Sequence, residues 1–264
     1  MLRSIHQLMP DEPLLYLADR AHVPYGPRPL EEVRDFSMAI TQYLLDQGSR
    51  LIVVACNTAS AASLKYLRQV FPEVPFVGME PAVKPAVEHT HSGVVGVLAT
   101  PATFQGELYA SVVERFGQGV KLLQHTCPGL VDQIENGKLE SKDTRCILEE
   151  ALQPMLEQGI DTVVLGCTHY PFVIPLIQQI TGPSVRVIDP APAVARQVQR
   201  LLVASSLLDL NSPLDEDGLR SPRHLLHFMT TGDPARLERM LPGLLGENGS
   251  VEGLTWVEGK LFSN

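Results

Sequence analysis

Two stretches of the chain repeat one pattern at an offset of 111 residues: Leu45–Cys56 reads LDQGSRLIVVAC and Leu156–Cys167 reads LEQGIDTVVLGC. Each begins as the end of a helix, continues through a glycine that stops the helix and then an apolar strand, and finishes on a cysteine. The apolar residues show little alternation, which is typical of strands covered on both faces. The repeated helix–strand unit therefore predicts a parallel α/β fold.

Strand and helix patterns alternate over most of the remaining sequence, which supports the same fold class. The predicted strands are Leu14–Leu17, Leu51–Ala55, Phe76–Gly78, Val94–Ala99, Thr162–Gly166 and Val185–Ile188. The predicted helices are Leu30–Gln47, Ala59–Val70, Thr103–Phe116, Thr144–Gln158 and Ala191–Leu202. Farther on we expect a loop over Ser205–Pro222, a strand over Leu225–Thr230 and a short helix over Ala235–Leu241. Open sheets of this kind bind ligands at the carboxyl ends of their strands, where both cysteines lie.

The composition argues against several classes of protein. The 264 residues include 21 Lys and Arg against 30 Asp and Glu, and a net charge of -9 argues against a nucleic-acid binder. No apolar run is long enough to span a bilayer, and the first residues do not resemble a signal peptide, so a cytoplasmic location is expected. Four cysteines are too few for a disulfide scaffold. The sequence shows no metal-ligand spacing, phosphate loop or dinucleotide-binding fingerprint, so no metal or cofactor is expected.

The matched cysteines, Cys56 and Cys167, are the candidates for chemistry. Two α/β units can resemble each other for structural reasons alone, and cysteine often fills a buried position. Two thiols on opposite sides of one cleft instead suit a reaction with two equivalent faces, in which one base removes a proton from carbon and the other returns it. A single cysteine nucleophile, as in a hydrolase, is the alternative. Both cysteines precede helical or turn segments, and His169 follows Cys167 by two residues; these are features that lower a thiol pKa.

Five ordered motifs resemble those of the glutamate racemases, which belong to the cofactor-independent aspartate/glutamate racemase superfamily. They include both cysteine signatures, a substrate-loop motif, the segment before the second cysteine and a C-terminal motif. In chain order the matching segments are Val23–Arg28, Val53–Ser60, Cys127–Gly137, Leu165–Pro171 and Thr230–Pro234. The resemblance covers nearly the whole chain.

The resemblance implies roles for individual residues. It assigns Cys56 and Cys167 as the two catalytic thiols, with His169 assisting Cys167 and Glu135 supplying a carboxylate nearby. The substrate-contacting residues that it implies are Tyr25, Gly26, Asn57, Thr58, Thr168 and His169. The other two cysteines are expected to be structural, Cys127 in a loop and Cys146 in the core.

The resemblance also implies a fold and a biological role. Two α/β domains with mostly parallel sheets would face each other, residues 1–80 with 189–264 forming the first and 81–188 the second. The active site would lie in the cleft between them. The reaction would interconvert L-glutamate and D-glutamate without metal or cofactor and would supply D-glutamate for peptidoglycan synthesis. The expected partners are glutamate as substrate and a second copy of the chain in a homodimer, with no nucleic acid and no membrane.

Three departures from the family pattern leave alternatives open. Nothing before Leu14 matches the strand and Asp-Ser-Gly loop with which family members begin, and Ser4–Pro10 resembles the helix that follows that loop, so we expect impaired catalysis. Arg20 stands where a small hydroxylated residue is common, and Gly106 replaces a frequent serine. A racemase-like binding or regulatory protein is therefore one alternative, and a racemase of aspartate or of a hydantoin is another.

Overall fold

Strands and helices alternate along the chain in the computed structural model, which describes residues 1–205, 207 and 226–264. The strands are β1 (Leu14–Ala18), β2 (Ile52–Val53), β3 (Phe76–Val77), β4 (Val94–Ala99), β5 (Lys121–His125), β6 (Thr162–Gly166), β7 (Arg186–Ile188), β8 (Leu226–Thr230), β9 (Val251–Val257) and β10 (Lys260–Ser263). The helices are α1 (Leu2–Leu8), α2 (Leu30–Asp46), α3 (Asn57–Val70), α4 (Val83–His89), α5 (Pro101–Gln105), α6 (Glu107–Phe116), α7 (Leu130–Glu135), α8 (Lys142–Glu157), α9 (Ile174–Thr181), α10 (Ala191–Ala204) and α11 (Pro234–Leu245), with a 3-10 helix at Tyr170–Val173. Leu225 and most of the predicted Ser205–Pro222 loop lie outside the described residues.

Strand pairing among the described residues gives three sheets. One has the order β5-β4-β6-β7 and is parallel throughout. A second has the order β1-β8-β9-β10, in which only β10 runs antiparallel to its neighbour. The third is the parallel pair β2-β3. The predicted class, α/β with mostly parallel sheets, is therefore confirmed.

The sheets divide the chain in a characteristic way. All four strands of the β5-β4-β6-β7 sheet come from residues 94–188, whereas the strands of the other two sheets precede residue 78 or follow residue 225. This grouping has the form of two α/β layers that face each other. The domain boundaries expected near Glu80 and Asp189 stay a prediction. No helix in the described part of the chain is long and apolar enough to cross a membrane.

The repeat that is visible in the sequence is also present in the backbone. Gly48 and Gly159 follow α2 and α8 with φ of 86° and 81°, in the left-handed region that glycine adopts without strain. The Gly48 N–H donates to the Leu45 carbonyl and the Gly159 N–H donates to the Leu156 carbonyl, both at 2.9 Å. Each helix is thus closed by a glycine that stands eight residues before a cysteine.

Some sequence-based predictions about local structure are wrong. The helix expected over Thr103–Phe116 is split at Gly106 into α5 and α6, because α3 approaches closely there: a Cβ on Gly106 would lie 2.6 Å from the Ala61 Cβ. The strand expected over Leu51–Ala55 is only Ile52–Val53. Cys146, expected in the core, is exposed on the outer face of α8. The elements that the sequence did not indicate are α4, α7, α9, β5, β9 and β10.

The β4 strand forms the rigid centre of its sheet. Val95 and Val97 pack on one face and Leu98 on the other, and all three are fully buried. A strand covered on both faces fixes the residues at its carboxyl end. Thr100, which follows β4, caps α5 by accepting a hydrogen bond from the Thr103 N–H. The sheet therefore holds this polar residue in a fixed place beside the cleft.

Candidate active site

Both cysteines of the repeat line a single cavity of about 1090 Å³. Cys56, Thr100 and Cys167 enter it from beyond the carboxyl ends of β2, β4 and β6, where open α/β sheets place their ligands. The cavity also brings together every residue predicted for the site: Tyr25, Gly26, Cys56, Asn57, Thr58, Glu135, Cys167, Thr168 and His169. Apolar side chains of β1, β2, α1, α2, α10 and α11 also line it.

Cys56 is the N-cap residue of α3. Its Sγ accepts a hydrogen bond from the Ala59 N–H at 3.4 Å. Burial raises the pKa of the Cys56 thiol to about 11, and the negative charge of Cys167 acts in the same direction. The hydrogen bonds from Ala59 and Thr58 favour the thiolate but do not outweigh burial. The lowered pKa expected from the helix N-terminus is therefore not found at Cys56, which is a protonated thiol at neutral pH.

Cys167 lies beside a histidine–carboxylate pair. It is 7% exposed, and its Sγ is 3.9 Å from His169 Nδ1, while His169 Nε2 is 2.7 Å from Glu135 Oε1. Burial opposes a charged imidazole, but the interactions with Cys167 and Glu135 outweigh it and raise the pKa of His169 to about 10. His169 is therefore an imidazolium at neutral pH, between a sulfur and a carboxylate.

Glu135 is held by two arginines as well as by His169. The Arg20 guanidinium lies 2.6 Å from Glu135 Oε2, an ion pair whose angles are not those of a hydrogen bond. Arg236, on α11, donates to the backbone carbonyl of Glu135 at 2.6 Å. Burial alone would raise the pKa of Glu135, but His169, Arg20 and Arg236 lower it below its usual value. The carboxylate is thus ionised and faces cations on several sides.

A polar pocket follows Cys56 at the start of α3. Asn57 is 2% exposed, and neither its Nδ2 nor its Oδ1 has a hydrogen-bond partner in the structure. A buried amide without partners costs free energy, which a ligand with complementary groups would recover. Beside it, the Thr58 hydroxyl is 2.8 Å from the Thr100 hydroxyl. A Cβ on Gly26 would lie 3.0 Å from the Thr100 Cβ and Cγ2, so the substrate-loop backbone needs glycine at this close approach.

Tyr25 is fixed by a carboxylate that sequence reasoning missed. Its hydroxyl donates to Asp19 at 2.6 Å, and Thr231, Trp256 and His22 contact the same carboxylate at 2.7, 2.9 and 2.9 Å. Asp19 is 9% exposed and directly follows β1. Burial and the neighbouring Asp19 raise the pKa of Tyr25, so its proton stays on the phenol. Asp19 thus ties the substrate loop to the C-terminal hairpin.

Cys127 adds a third thiol to the cavity wall. It is buried and its backbone has φ of 45°, in the left-handed region. Burial, together with the charge of Cys167, raises the pKa of Cys127 to about 12, which suits the structural role expected of it. All four cysteines are free thiols. Within the described residues, no group of three or more His, Cys, Asp or Glu side chains is arranged to hold a metal ion.

Comparison with known proteins defines the class. The family described as Asp/Glu/Hydantoin racemase matches residues 1–198, and the chain belongs to this family. Among its relatives is the glutamate racemase of Stutzerimonas stutzeri (strain A1501), which is 47% identical over 252 residues, covering 96% of this chain and 91% of that protein.

Solved structures of glutamate racemases share the fold. The RacE1 isoform from Bacillus anthracis has a TM-score of 0.82 at 30% identity, covering 97% of this chain and 92% of that one. The Escherichia coli enzyme, in complex with L-glutamate and the activator UDP-MurNAc-Ala, has a TM-score of 0.76 at 29% identity, covering 95% and 91%.

Proposed function

We propose that this chain interconverts L-glutamate and D-glutamate, with Cys56 and Cys167 acting on opposite faces of the α-carbon. The observation that carries this proposal is the placement of two thiols, at matched strand ends, on one cavity. The resemblance in sequence and fold to glutamate racemases supports the choice of substrate. The product D-glutamate would serve peptidoglycan synthesis.

The protonation states favour one starting arrangement. Cys56 carries its proton, because burial raises its pKa to about 11. An imidazolium 3.9 Å from Cys167 stabilises a thiolate on that sulfur. Cys167 then takes the α-proton of one enantiomer, and Cys56 donates its own proton to the opposite face of the carbanion. The turnover ends with Cys167 as thiol and Cys56 as thiolate, and proton exchange with solvent resets the pair.

The polar pocket at the start of α3 binds the amino acid in this proposal. The unpartnered Asn57 amide, the Thr58 hydroxyl and the free N–H groups of α3 offer donors to a carboxylate beside Cys56. Thr168 offers a further hydroxyl beside Cys167, and the Tyr25–Gly26 loop covers the cavity. Enclosure matters because the carbanion must be protonated by a thiol and not by bulk water.

The decisive experiment follows the α-proton in deuterated water. The racemase should incorporate deuterium at the α-carbon of glutamate and form the opposite enantiomer. Cys56→Ser and Cys167→Ser should each lower racemisation by at least ~10²–10⁴-fold with the fold intact, because a serine hydroxyl is too weak an acid to replace the thiol. Cys146→Ser, at an exposed position on α8, is the matched control and should keep wild-type turnover.

Other outcomes would support the alternatives. Glutamate binding without exchange indicates a binding or regulatory protein, and substrate consumption without exchange indicates a hydrolase. Faster turnover of aspartate than of glutamate would assign the chain to another branch of the family. Wild-type turnover in either folded serine variant would contradict the two-thiol mechanism.

The domain division, the cellular location and the oligomeric state are further proposals. We propose that residues 1–80 and 189–264 form one domain and residues 81–188 the other, which limited proteolysis can test. A cytoplasmic location suits a mechanism that needs two reduced thiols. A homodimer is supported by exposed Val257 and Phe262 at the β9–β10 hairpin, and sedimentation equilibrium tests it.

A further inference from the structure

We infer that Arg20 is a positioning residue for Cys167, acting across the cleft through Glu135 and His169. The inference rests on the proposed function and names a component of the same site. Arg20 follows β1 of one sheet, whereas Glu135 ends α7, a helix that packs against the opposite sheet through its apolar residues. The two side chains therefore join opposite walls of the cavity.

The contacts form a continuous series. The Arg20 guanidinium is 2.6 Å from Glu135 Oε2, Glu135 Oε1 is 2.7 Å from His169 Nε2, and His169 Nδ1 is 3.9 Å from Cys167 Sγ. Each carboxylate oxygen of Glu135 thus contacts one cation. Coulomb attraction to the guanidinium holds Oε2 on the Arg20 side and so keeps Oε1 directed at the imidazole. The orientation of His169 toward the sulfur then follows from Arg20.

Burial makes this ion pair more than a surface contact. The side chains of Arg20 and Glu135 are only 16% and 18% exposed, so solvent screens them weakly. The backbone at residue 232 holds the arginine stem in place, because a Cβ on Gly232 would lie 2.8 Å from the Arg20 Cβ. Removing one partner of such a pair leaves a buried charge uncompensated.

The charged groups around Glu135 determine how Arg20 affects the pH dependence of the reaction. Arg20 and Arg236 face it from one wall, His169 from the other, and the half-buried phenol of Tyr16 lies near it on β1. Arg20 lowers the pKa of Glu135, so its loss raises that pKa. The acidic limb of the pH–rate profile should therefore move to higher pH when Arg20 is replaced by a neutral residue.

A thermodynamic constraint decides which kinetic measurement is informative. The two enantiomers have equal free energy, so kcat/KM must change by the same factor in both directions. The α-deuterium isotope effects on kcat/KM, in contrast, can change differently in the two directions. If Arg20 acts on Cys167, the loss of Arg20 slows proton transfer at that sulfur alone. The α-deuterium effect should then increase for the enantiomer deprotonated by Cys167 and decrease for the other.

The test compares Arg20→Met with Arg20→Lys and the wild type. We expect Arg20→Met to lose roughly 10–100-fold in kcat/KM, with isotope effects that diverge between the enantiomers and an acidic limb at higher pH. Arg20→Lys keeps the charge and should recover part of each change. Arg145→Met, which removes an exposed arginine from α8, is the control and should leave all three unchanged.

Several results would overturn the inference. One is an Arg20→Met variant with wild-type kcat/KM and an acidic limb at the wild-type pH. Another is a variant that loses activity while both isotope effects stay at wild-type values. If Arg20→Met does not fold, the same comparison is made with Arg20→Lys.

A wild-type protein that does not racemise glutamate refutes the proposed function instead of this inference. Alkylation of Cys167 by iodoacetamide, followed by peptide mass spectrometry, then tests Arg20 without turnover. At neutral pH the alkylation of Cys167 should be slower in Arg20→Met, because the His169 imidazolium beside the sulfur is no longer held in place. An equal rate in both proteins overturns the inference.

Discussion

The substitution Glu135→Gln isolates the electrostatic part of the site with little change in shape. A neutral amide replaces the carboxylate 2.7 Å from His169 Nε2. Glu135 is one of the two groups that raise the pKa of His169 to about 10, so the substitution must lower that pKa. The expected consequence is a loss of imidazolium, and with it of the thiolate that it stabilises, at neutral and alkaline pH.

The size of the effect follows from the two limiting pKa values. At pH 8 an imidazole with a pKa of about 10 is about 99% protonated, whereas one with the ordinary value of about 6.5 is about 3% protonated. Because Cys167 still favours the imidazolium, the variant lies between these limits, and we expect a loss of roughly 5–30-fold at pH 8. At pH 6 even the ordinary imidazole is mostly protonated, so the ratio of variant to wild-type activity should recover.

The assay measures racemisation by circular dichroism from pH 6 to pH 9, with an NMR titration of the His169 ring in parallel. Glu149→Gln, on the exposed face of α8, is the control for loss of one negative charge. A variant-to-wild-type ratio that does not depend on pH, or a His169 titration that Glu135→Gln leaves in place, would refute the reasoning.

Two further substitutions test the substrate loop. Gly26→Ala should raise KM several-fold with little change in Tm, because the new Cβ would lie 3.0 Å from Thr100 in the substrate loop. The control is Gly243→Ala on α11, where the space around the glycine is open; it should be neutral or stabilise the protein by up to about 1 kcal/mol. Asp19→Asn should lower the free energy of unfolding by about 1–3 kcal/mol in urea titration, because an amide cannot accept every hydrogen bond that the carboxylate accepts. An unchanged urea midpoint would show that the Asp19 cluster contributes nothing to stability.

The repeat around the two cysteines could be predicted because every signal in it is local. The glycines at 48 and 159 stop helices through their own φ, and the apolar strands need no knowledge of distant residues. Their register carries Cys56 and Cys167 to equivalent strand ends. The strand Lys121–His125 was missed because its outer residues are polar, as suits the edge of a sheet.

The parts that the sequence did not predict depend on contacts between distant segments. The break at Gly106 reflects the approach of Ala61 on another helix, and nothing in the local pattern shows it. The role of Asp19 depends on Trp256, 237 positions away, and that of Arg20 on Glu135 across the cleft. Such long-range pairs are specified by the whole fold, so one sequence does not reveal them.

Trp256 is the only tryptophan in the sequence, and its indole N–H donates to the carboxylate that also accepts the Tyr25 hydroxyl. The protein therefore contains one indole, which can be excited selectively at wavelengths that its tyrosines do not absorb, and this indole is two hydrogen bonds away from the Tyr25–Gly26 loop. Movement of Tyr25 when a ligand enters would alter the electric field at the indole through Asp19. Emission from Trp256 would then report occupancy of the cleft optically, in rapid mixing and without a label.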